Sequence, residues 1–306
     1  MINRVIIFCF VLLWSNYSLA VNNIENLLVQ QGYTAVPLQR TSNTDALYAE
    51  ITLQAGKTYQ FLVDTGATLT TIDQKIVKEL RLKIEKNSLI LGGGDNRRNR
   101  AYAVAIPLLS LNNFSSKDEI AYQRDYSFIK VDKNPISGFI GLTFLRKYHA
   151  IFDIVAQRLY LIYGSPTSSL ADILTKAGYK QISLQRAPSG HLLLSVQINQ
   201  AAPVPFMLDS GVPKTMISLT YANELGLKLT THAIIGRGGG GGEMKIFKTK
   251  INKLSIDSLA WMPPDVAILD FKYINLGTPV YGILGLDWMQ AHQTILDTSN
   301  DKLYIG

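Results

Sequence analysis

Residues Phe61–Ala67 read Phe-Leu-Val-Asp-Thr-Gly-Ala, and residues Phe206–Val212 read Phe-Met-Leu-Asp-Ser-Gly-Val. Each stretch is an apolar run followed by Asp, a small hydroxyl residue, Gly and a small apolar residue. An apolar run of this length is typical of a buried strand, so each Asp stands where a strand ends and a turn begins. A single Asp-Thr/Ser-Gly triplet is common by chance. Two copies, each ending an apolar strand, predict two carboxylates brought together by an internal two-fold axis.

The remainder of the chain repeats as well. Leu38–Arg40 recurs as Leu184–Arg186, at an offset of 184 − 38 = 146, and Phe152 recurs as Leu296, at an offset of 296 − 152 = 144. A self-similar chain of this kind predicts a duplicated structure. The stretch 164–169 has the composition of a linker and lies between the copies. We therefore predict an N-terminal lobe over residues 21–165 and a C-terminal lobe over residues 166–306.

Within each copy the pattern is mostly that of β-strands. Apolar and polar residues alternate in Leu47–Leu53 and again in Leu192–Ile198, and each run leads through a polar turn into an Asp-bearing strand. A short helix is predicted after each Asp, over residues 74–80 and 220–225. Asp153 and Asp297 each lie in a Phe/Leu-Asp segment before the last strand of a copy, and they are interpreted as turn residues. The fold class predicted is all-β with short helices, in two pseudo-symmetric lobes.

The composition and the N-terminal residues limit the classes of protein to which this chain can belong. The 306 residues are 47% hydrophobic and 17% charged with a formal net charge of +7, which is typical of a globular chain. Lys and Arg are scattered without a nucleic-acid-binding motif, so no nucleic-acid partner is expected. Residues 1–20 resemble a signal peptide, with a basic start, an apolar core too short to span a bilayer, and a small-x-small cleavage site. The mature chain is expected to be periplasmic or secreted, with no stable membrane span. An uncleaved anchor is the alternative.

Cysteine and histidine chemistry is largely excluded. The one cysteine, Cys9, lies in the predicted signal peptide, so disulfides, cysteine nucleophiles and thiolate metal sites are not expected in the mature chain. No two of the four histidines have the spacing of metal ligands, and we interpret them as surface or loop residues: His149, His191, His232 and His292. Neither a metal nor a cofactor is predicted.

Two glycine clusters lie at corresponding positions of the two copies. They comprise Gly92, Gly93 and Gly94 in the first copy, and Gly236, Gly238 and Gly239 in the second. The second cluster matches a dinucleotide-binding fingerprint as far as Gly241, but the residues after it are β-like rather than helical, so nucleotide binding is rejected. Each cluster predicts a mobile hairpin tip, or flap, in which glycine supplies flexibility and positive φ. A plain surface loop is the alternative.

A second motif accompanies each Asp loop. Residues 139–141 read Phe-Ile-Gly and residues 283–285 read Ile-Leu-Gly, and each lies 74–77 residues after its Asp. Thr70 and Thr215 stand six residues after each Asp. With these elements the sequence resembles the aspartic peptidases, most closely the retropepsin-like family, in a tandem single-chain form with the bilobed layout of a pepsin.

The resemblance implies a role for each residue of the site. Asp64 and Asp209 would be the catalytic pair, sharing one proton and activating water. The hydroxyls of Thr65 and Ser210 would hold the two loops in register, and Gly66 and Gly211 would offer N–H groups to the carboxylates. Ala67 and Val212 would complete the loops. The support segments that would cross beneath them comprise Phe139, Ile140, Gly141, Ile283, Leu284 and Gly285.

The function predicted is that of an exported aspartic endopeptidase that acts on polypeptides as a monomer without a cofactor. Two departures from the family bear on this prediction. Residues 68–69 and 213–214 lack the acidic residue that clamps the substrate backbone in viral members, which leaves the mode of peptide binding open. Ala67 and Val212 stand where pepsins carry a hydroxyl, which predicts a mildly acidic pH optimum. The alternatives are a catalytically silent peptide-binding or scaffold protein and a domain-exchanged dimer.

Overall fold

The computed structural model describes residues 24–42, 44–131, 134–166, 170–230, 232–263 and 265–306. The predicted signal peptide lies outside the described residues, as do residues 167–169 of the predicted linker. We refer to the described residues up to 166 as the first half of the chain and to those from 170 onward as the second half.

The first half contains three short helices and thirteen strands. The helices are α1 (24–30), α2 (Gln74–Glu79) and α3 (Leu142–Lys147), with a 3₁₀ turn at Gln54–Gly56. The strands are β1 (Thr34–Pro37), β2 (Gln39–Arg40), β3 (Leu47–Leu53), β4 (Thr58–Val63), β5 (Thr71–Asp73), β6 (Lys83–Leu91), β7 (Asn99–Leu111), β8 (Phe114–Arg124), β9 (Lys130–Val131), β10 (Asn134–Pro135), β11 (Gly138–Ile140), β12 (Ile151–Asp153) and β13 (Arg158–Leu161).

The second half repeats this order. Its helices are α4 (Leu170–Lys176), α5 (Leu219–Glu224) and α6 (Leu286–Ala291). Its strands are β14 (Lys180–Ser183), β15 (Gln185–Arg186), β16 (Leu192–Ile198), β17 (Val204–Leu208), β18 (Met216–Ser218), β19 (Ile234–Arg237), β20 (Glu243–Thr249), β21 (Leu254–Ile256), β22 (Leu259–Trp261), β23 (Val266–Leu269), β24 (Gly282–Leu284), β25 (Ile295–Asp297) and β26 (Lys302–Ile305).

Each half builds its own large sheet, and a third sheet joins the halves. The first large sheet runs β2-β3-β4-β11-β5-β8-β7-β6, and an additional pairing of β3 with β7 folds it back on itself. The second runs β19-β20-β23-β18-β24-β17-β16-β21-β22, with β15 beside β16. The joining sheet has six strands in the order β1-β13-β12-β25-β26-β14. The predicted all-β, bilobed fold with short helices is confirmed.

The joining sheet contains the internal two-fold axis. Strands β12 and β25 are the same segment of the two copies, and they pair antiparallel with Phe152 directly opposite Leu296. Two equivalent residues can face each other in this way only if a local two-fold axis passes between them. Phe152 is 0% exposed and Leu296 is 2% exposed, so apolar burial holds the halves together at this end.

The alternating runs became the strands that the pattern predicted. Strands β3 and β16 have the predicted bounds, and each pairs antiparallel with the Asp-bearing strand that follows it. The helix after the second Asp begins at Leu219 rather than at Thr220, because Ser218 caps it by accepting the N–H of Tyr221. Asp153 and Asp297 were predicted as turn residues, but each is the last residue of a strand, β12 or β25, because its backbone pairs across the joining sheet. Only their side chains reach the turn, where they accept backbone N–H groups.

Candidate active site

Each predicted support segment pairs with the strand that leads into an Asp loop. Strand β11 runs parallel to β4 and pairs Phe139 with Leu62, and β24 runs parallel to β17 in the same register. The N–H of Asp64 donates to the carbonyl of Ile140 and the N–H of Asp209 donates to that of Leu284, both at 3.0 Å. Each Asp is therefore fixed at the last bond of a parallel ladder, where the strand ends.

The glycine of each support segment is required by close packing. A Cβ on Gly141 would lie 2.5 Å from the carbonyl oxygen of Leu69, and a Cβ on Gly285 would lie 2.7 Å from the carbonyl carbon of Lys214. Both contacts are with backbone of the Asp loops, which cannot move aside without breaking the ladder. The helices that follow add a further tie, because the N–H of Leu142 donates to Ala67 and that of Leu286 donates to Val212.

Four hydrogen bonds join the two loops across the axis. The hydroxyl of Thr65 donates to the carbonyl of Leu208 at 3.0 Å and accepts the N–H of Ser210 at 2.9 Å. In return, the hydroxyl of Ser210 donates to the carbonyl of Val63 at 2.8 Å and accepts the N–H of Thr65 at 3.0 Å. Thr65 and Ser210 are both buried. Their side chains thus fix the position of one Asp relative to the other.

The glycine of each loop lies against the carboxylate of the other half. A Cβ on Gly66 would lie 2.2 Å from Oδ2 of Asp209, and a Cβ on Gly211 would lie 2.5 Å from Oδ1 of Asp64. Each glycine N–H also donates to the Asp of its own loop, at 2.8 Å to Asp64 and at 2.7 Å to Asp209. Any side chain at either glycine would separate the two carboxylates.

The two carboxyl groups lie together in a largely buried environment, in which Asp209 is 7% exposed and Asp64 is half-buried. Burial raises the pKa of Asp64 well above its usual range, and the charge of Asp209 and the hydrogen bond with it raise that pKa further. Burial also raises the pKa of Asp209, although the N–H of Gly211 opposes the shift. Because like charges in contact cannot both ionise cheaply, the pair holds one proton between the two groups over a range of pH. The proton belongs to the pair rather than to either residue.

His191 lies at the site: it is in a loop, as predicted, but it is half-buried against the first Asp loop rather than at the surface. It precedes β16 in the second half, and its Nε2 lies 3.0 Å from the carbonyl oxygen of Gly66 in the first half. Burial lowers the pKa of its imidazole. No sequence motif marks this histidine, because Ser189 and His191 form no recognised motif and Gly66 is 125 residues away in the chain.

The two glycine clusters lie at or beside the tips of two hairpins. Strands β6 and β7 form the first hairpin, and strands β19 and β20 form the second. The tips contact each other: the N–H of Gly239 donates to the carbonyl of Gly93 at 2.9 Å. Asp95, which is 2% exposed, accepts the N–H groups of Gly240 at 2.8 Å and of Gly242 at 2.9 Å. The two hairpins are present as predicted, whereas the mobility of their tips stays a prediction. Asp95 was not among the predicted residues.

Flexibility and positive φ, which the sequence suggested for the six glycines of the two clusters, do not explain most of them. Of the six predicted flap glycines, only Gly94 has a positive φ. A Cβ on Gly93 would lie 2.0 Å from the amide nitrogen of Gly240, and a Cβ on Gly238 would lie 2.5 Å from Oδ2 of Asp95. A Cβ on Gly236 would lie 2.6 Å from Cδ1 of Ile246, and one on Gly239 would lie 3.4 Å from the Cα of Gly93, whereas Gly92 has open space. Close approach of the two tips, rather than positive φ, therefore accounts for Gly93, Gly238 and Gly239.

Among the described residues, no group of three or more His, Cys, Asp or Glu side chains is placed to hold a metal ion. Within that same part of the chain, no helix is both long enough and apolar enough to cross a membrane.

A bilobed all-β fold in which two Asp-Thr/Ser-Gly loops meet on an internal two-fold axis defines the structural class of the aspartic proteinases. The comparison with solved structures agrees: the aspartic proteinase from Irpex lacteus aligns with a TM-score of 0.55 over 90% of this chain and 97% of that chain, at 12% sequence identity. At that level of identity, the likeness concerns the fold.

The sequence gives the family directly. The family described as "Aspartyl protease" matches residues 49–144 and 194–288, once in each half and over more than half of the chain. This chain belongs to the aspartyl protease family. No curated protein matches it in sequence.

Proposed function

We propose that this protein is an exported aspartic endopeptidase in which Asp64 and Asp209 together activate a water molecule. One observation carries the proposal: each loop glycine lies against the carboxylate of the opposite loop, which brings the two carboxyl groups together across the axis. A protein that only binds peptides has no chemical need for two neighbouring carboxyl groups that are largely withdrawn from water. Such a pair costs desolvation and like-charge repulsion.

The reaction follows from the single shared proton. The ionised carboxylate accepts a proton from water while the water oxygen forms a bond to the scissile carbonyl carbon. The protonated carboxyl donates its proton to the carbonyl oxygen, which gives a neutral tetrahedral diol. Breakdown of the diol breaks the C–N bond; the nitrogen takes a proton from one carboxyl, and a diol hydroxyl returns a proton to the other. No covalent enzyme intermediate forms.

The chain around the pair supports this chemistry in two ways. The N–H groups of Gly66 and Gly211 donate to the carboxylates and stabilise the negative charge. The four bonds between Thr65 and Ser210 and the opposite strands hold the pair rigid, so the reacting groups do not need to be reorganised. We take the paired hairpin tips as flaps that cover an extended polypeptide substrate.

Digestion of a peptide library by the purified mature chain tests the proposal. Wild type is compared with Asp64→Asn and Asp209→Asn, and Asp257→Asn serves as the control because Asp257 is exposed in the turn between β21 and β22. We expect cleavage by wild type and the control, and a loss of at least about a thousandfold in both dyad variants. Loss in only one of the two would contradict a shared dyad.

The alternative functions give different results. A catalytically silent binding protein would leave the library uncut by wild type while still retaining peptides. A domain-exchanged dimer would show two chains by sedimentation, whereas we predict a monomer because both Asp loops come from one chain. Export is tested by the mass of the protein recovered outside the cytoplasm, which we expect to lack residues 1–20.

A further inference from the structure

We propose that His191 is a positioning residue of the active site, whose ring holds the Gly66–Ala67 peptide in the orientation that supports Asp64. This inference rests on the proposed peptidase function and adds to it a residue outside the two Asp loops. The Nε2 atom of His191 lies 3.0 Å from the carbonyl oxygen of Gly66. A carbonyl oxygen can only accept a hydrogen bond, so Nε2 carries the proton.

The other ring nitrogen fixes the tautomer. Nδ1 of His191 lies 2.8 Å from Oγ of Ser189. In the neutral ring with its proton on Nε2, Nδ1 is an acceptor and the Ser189 hydroxyl is its donor. Burial lowers the pKa of His191, which favours this neutral form. Both ring nitrogens therefore have defined partners, as expected of a ring with a fixed orientation.

The peptide that His191 contacts is directly connected to Asp64. Its carbonyl belongs to Gly66, and its N–H belongs to Ala67. That N–H donates to the backbone carbonyl of Asp64 at 3.3 Å, and its interaction with the Asp64 carboxyl lowers the pKa of that group. A hydrogen bond accepted by a peptide carbonyl polarises the N–H of the same peptide. His191 thus strengthens the donor that stabilises ionised Asp64.

The turn that carries His191 is anchored to both halves of the molecule. The carbonyl of Gly190 accepts a hydrogen bond from Nη2 of Arg146, in α3, at 2.8 Å. The N–H of Ser189 donates to the carbonyl of Leu276 at 3.1 Å. Gly190 has φ of +89°, a value that favours glycine. These contacts place the ring independently of a substrate.

The charged groups that act on the ring are few. Asp209 raises the pKa of His191 by its negative charge, and Arg146 lowers it by its positive charge. Arg146 is itself 3.6 Å from Asp301, which Arg186 contacts at 2.7 Å. Neither carboxylate lies at a ring nitrogen, since the two nitrogens contact Gly66 and Ser189. The ring therefore acts through its hydrogen bond to the peptide.

In the described part of the first half, an alanine holds the position that corresponds to His191. The N–H of Thr41 donates to the carbonyl of Ala46 at 2.9 Å, just as the N–H of Ala187 donates to that of His191 at 2.9 Å. Ala46 therefore occupies the position of His191, and its methyl group cannot donate to the carbonyl of Gly211. His191 thus makes the two aspartates inequivalent in a site that is otherwise nearly symmetric.

Kinetics of three proteins test the proposal: wild type, His191→Gln and His191→Ala. Gln can place an amide N–H near the position of Nε2, so we expect kcat within about threefold of wild type and a rescue of most of the function. Ala removes the donor, so we expect kcat to fall about tenfold with KM within about twofold. The acidic limb of the pH profile should also move to higher pH in the Ala variant, because ionised Asp64 loses support.

A measurement without substrate separates this inference from the proposed function. We expect ¹⁵N NMR of wild type to show the His191 proton on Nε2, and Ser189→Ala to show a mixture of tautomers. Titration of ¹³C-labelled Asp64 and Asp209 should give a higher apparent pKa for the pair in His191→Ala. These NMR measurements test the role of His191 even if wild type cleaves no peptide. A wild type that cleaves no peptide would overturn only the peptidase function.

Three results would overturn the inference. The first is a carboxyl titration that is unchanged in His191→Ala. The second is an equal loss of kcat in the Gln and Ala variants, which would indicate a packing role only. The third is a wild-type ring with its proton on Nδ1, which would rule out the hydrogen bond to Gly66. If His191→Ala fails to fold, two other variants still test the inference: Ser189→Ala through the tautomer of the ring and His191→Gln through the pH profile.

Discussion

Asp95, at the tip of the first hairpin, accepts the backbone N–H of Gly240, at the tip of the second hairpin, at 2.8 Å. The same oxygen accepts the N–H of Gly242, and the other carboxylate oxygen accepts the N–H of Arg97. A buried carboxylate with three N–H donors is well satisfied. The two halves of the chain are thus joined at the hairpin tips as well as at the Asp loops, and the glycines allow the backbone to enclose the carboxylate.

Gly93→Ala should open the contact between the tips. Its Cβ would lie 2.0 Å from the backbone nitrogen of Gly240, so the tips must move apart and the Asp95 bonds must lengthen. We expect amide hydrogen exchange at Gly240 and Gly242 to accelerate about tenfold or more, and KM for peptides to rise. Gly92→Ala is the matched control, because its Cβ would meet nothing within 4 Å. Equal exchange rates in the two variants would contradict the contact.

Thr65→Val should destabilise the junction of the Asp loops while keeping the shape of the side chain. The variant loses the bond to the carbonyl of Leu208 and leaves the buried N–H of Ser210 without its acceptor. We expect the free energy of unfolding to fall by about 2–3 kcal/mol in a denaturant titration. Thr58→Val is the control, because the exposed Thr58 hydroxyl bonds only the side chain of Thr52, and it should change the free energy by less than about 0.5 kcal/mol.

The pH dependence of activity follows from the raised pKa values of the pair. Burial raises the pKa of Asp64 and of Asp209, so each proton is retained to higher pH. The active form carries one proton: kcat/KM rises as the first proton leaves and falls as the second leaves. Both limbs therefore move upward, and we expect a mildly acidic optimum. A profile of kcat/KM that peaks near about pH 2 would show that the pair is not shifted.

The same shift predicts how stability depends on pH. A carboxyl whose pKa is raised by folding binds its proton more tightly in the folded state, so stability falls as pH rises from the unfolded pKa, about 4, through the folded pKa. Asp209→Asn removes this penalty, and the Asn oxygen can still accept the N–H of Gly211. We expect the variant to melt above wild type at pH 7, by about 2 °C for each kcal/mol gained.

The difference in melting temperature should shrink as pH falls through about 4 and be lost below it, where Asp209 becomes protonated in the unfolded state as well as in the folded state. Asp257→Asn, at an exposed turn, should follow wild type at both pH values. A variant that melts below wild type at pH 7 would indicate that the hydrogen bonds to Asp209 outweigh its burial and its repulsion from Asp64.

The local pattern of the chain determined the parts of the site that lie on one strand and the turn after it. The apolar run before each Asp requires burial, and the Asp that ends it must lie at a strand terminus. The glycines 141 and 285 were placed correctly because each support segment repeats at nearly the same distance from its Asp. These elements could be recognised because a motif that recurs at the same position in both copies rarely arises by chance.

Tertiary structure alone decided the contacts that break the repeat. Asp95 and Gly240 are 145 residues apart, and His191 and Gly66 are 125 residues apart. A hydrogen bond between distant residues leaves no period or spacing in a single sequence. The near contacts of these two residues, from Asp95 to the N–H of Arg97 and from His191 to Ser189, are ordinary turn contacts that do not mark a site. The sequence by itself therefore determined the symmetric framework of two acids on one axis. Packing of the two halves against each other decided where the hairpin tips meet. It also decided that a histidine contacts the loop of Asp64, whereas an alanine holds the corresponding position in the first half.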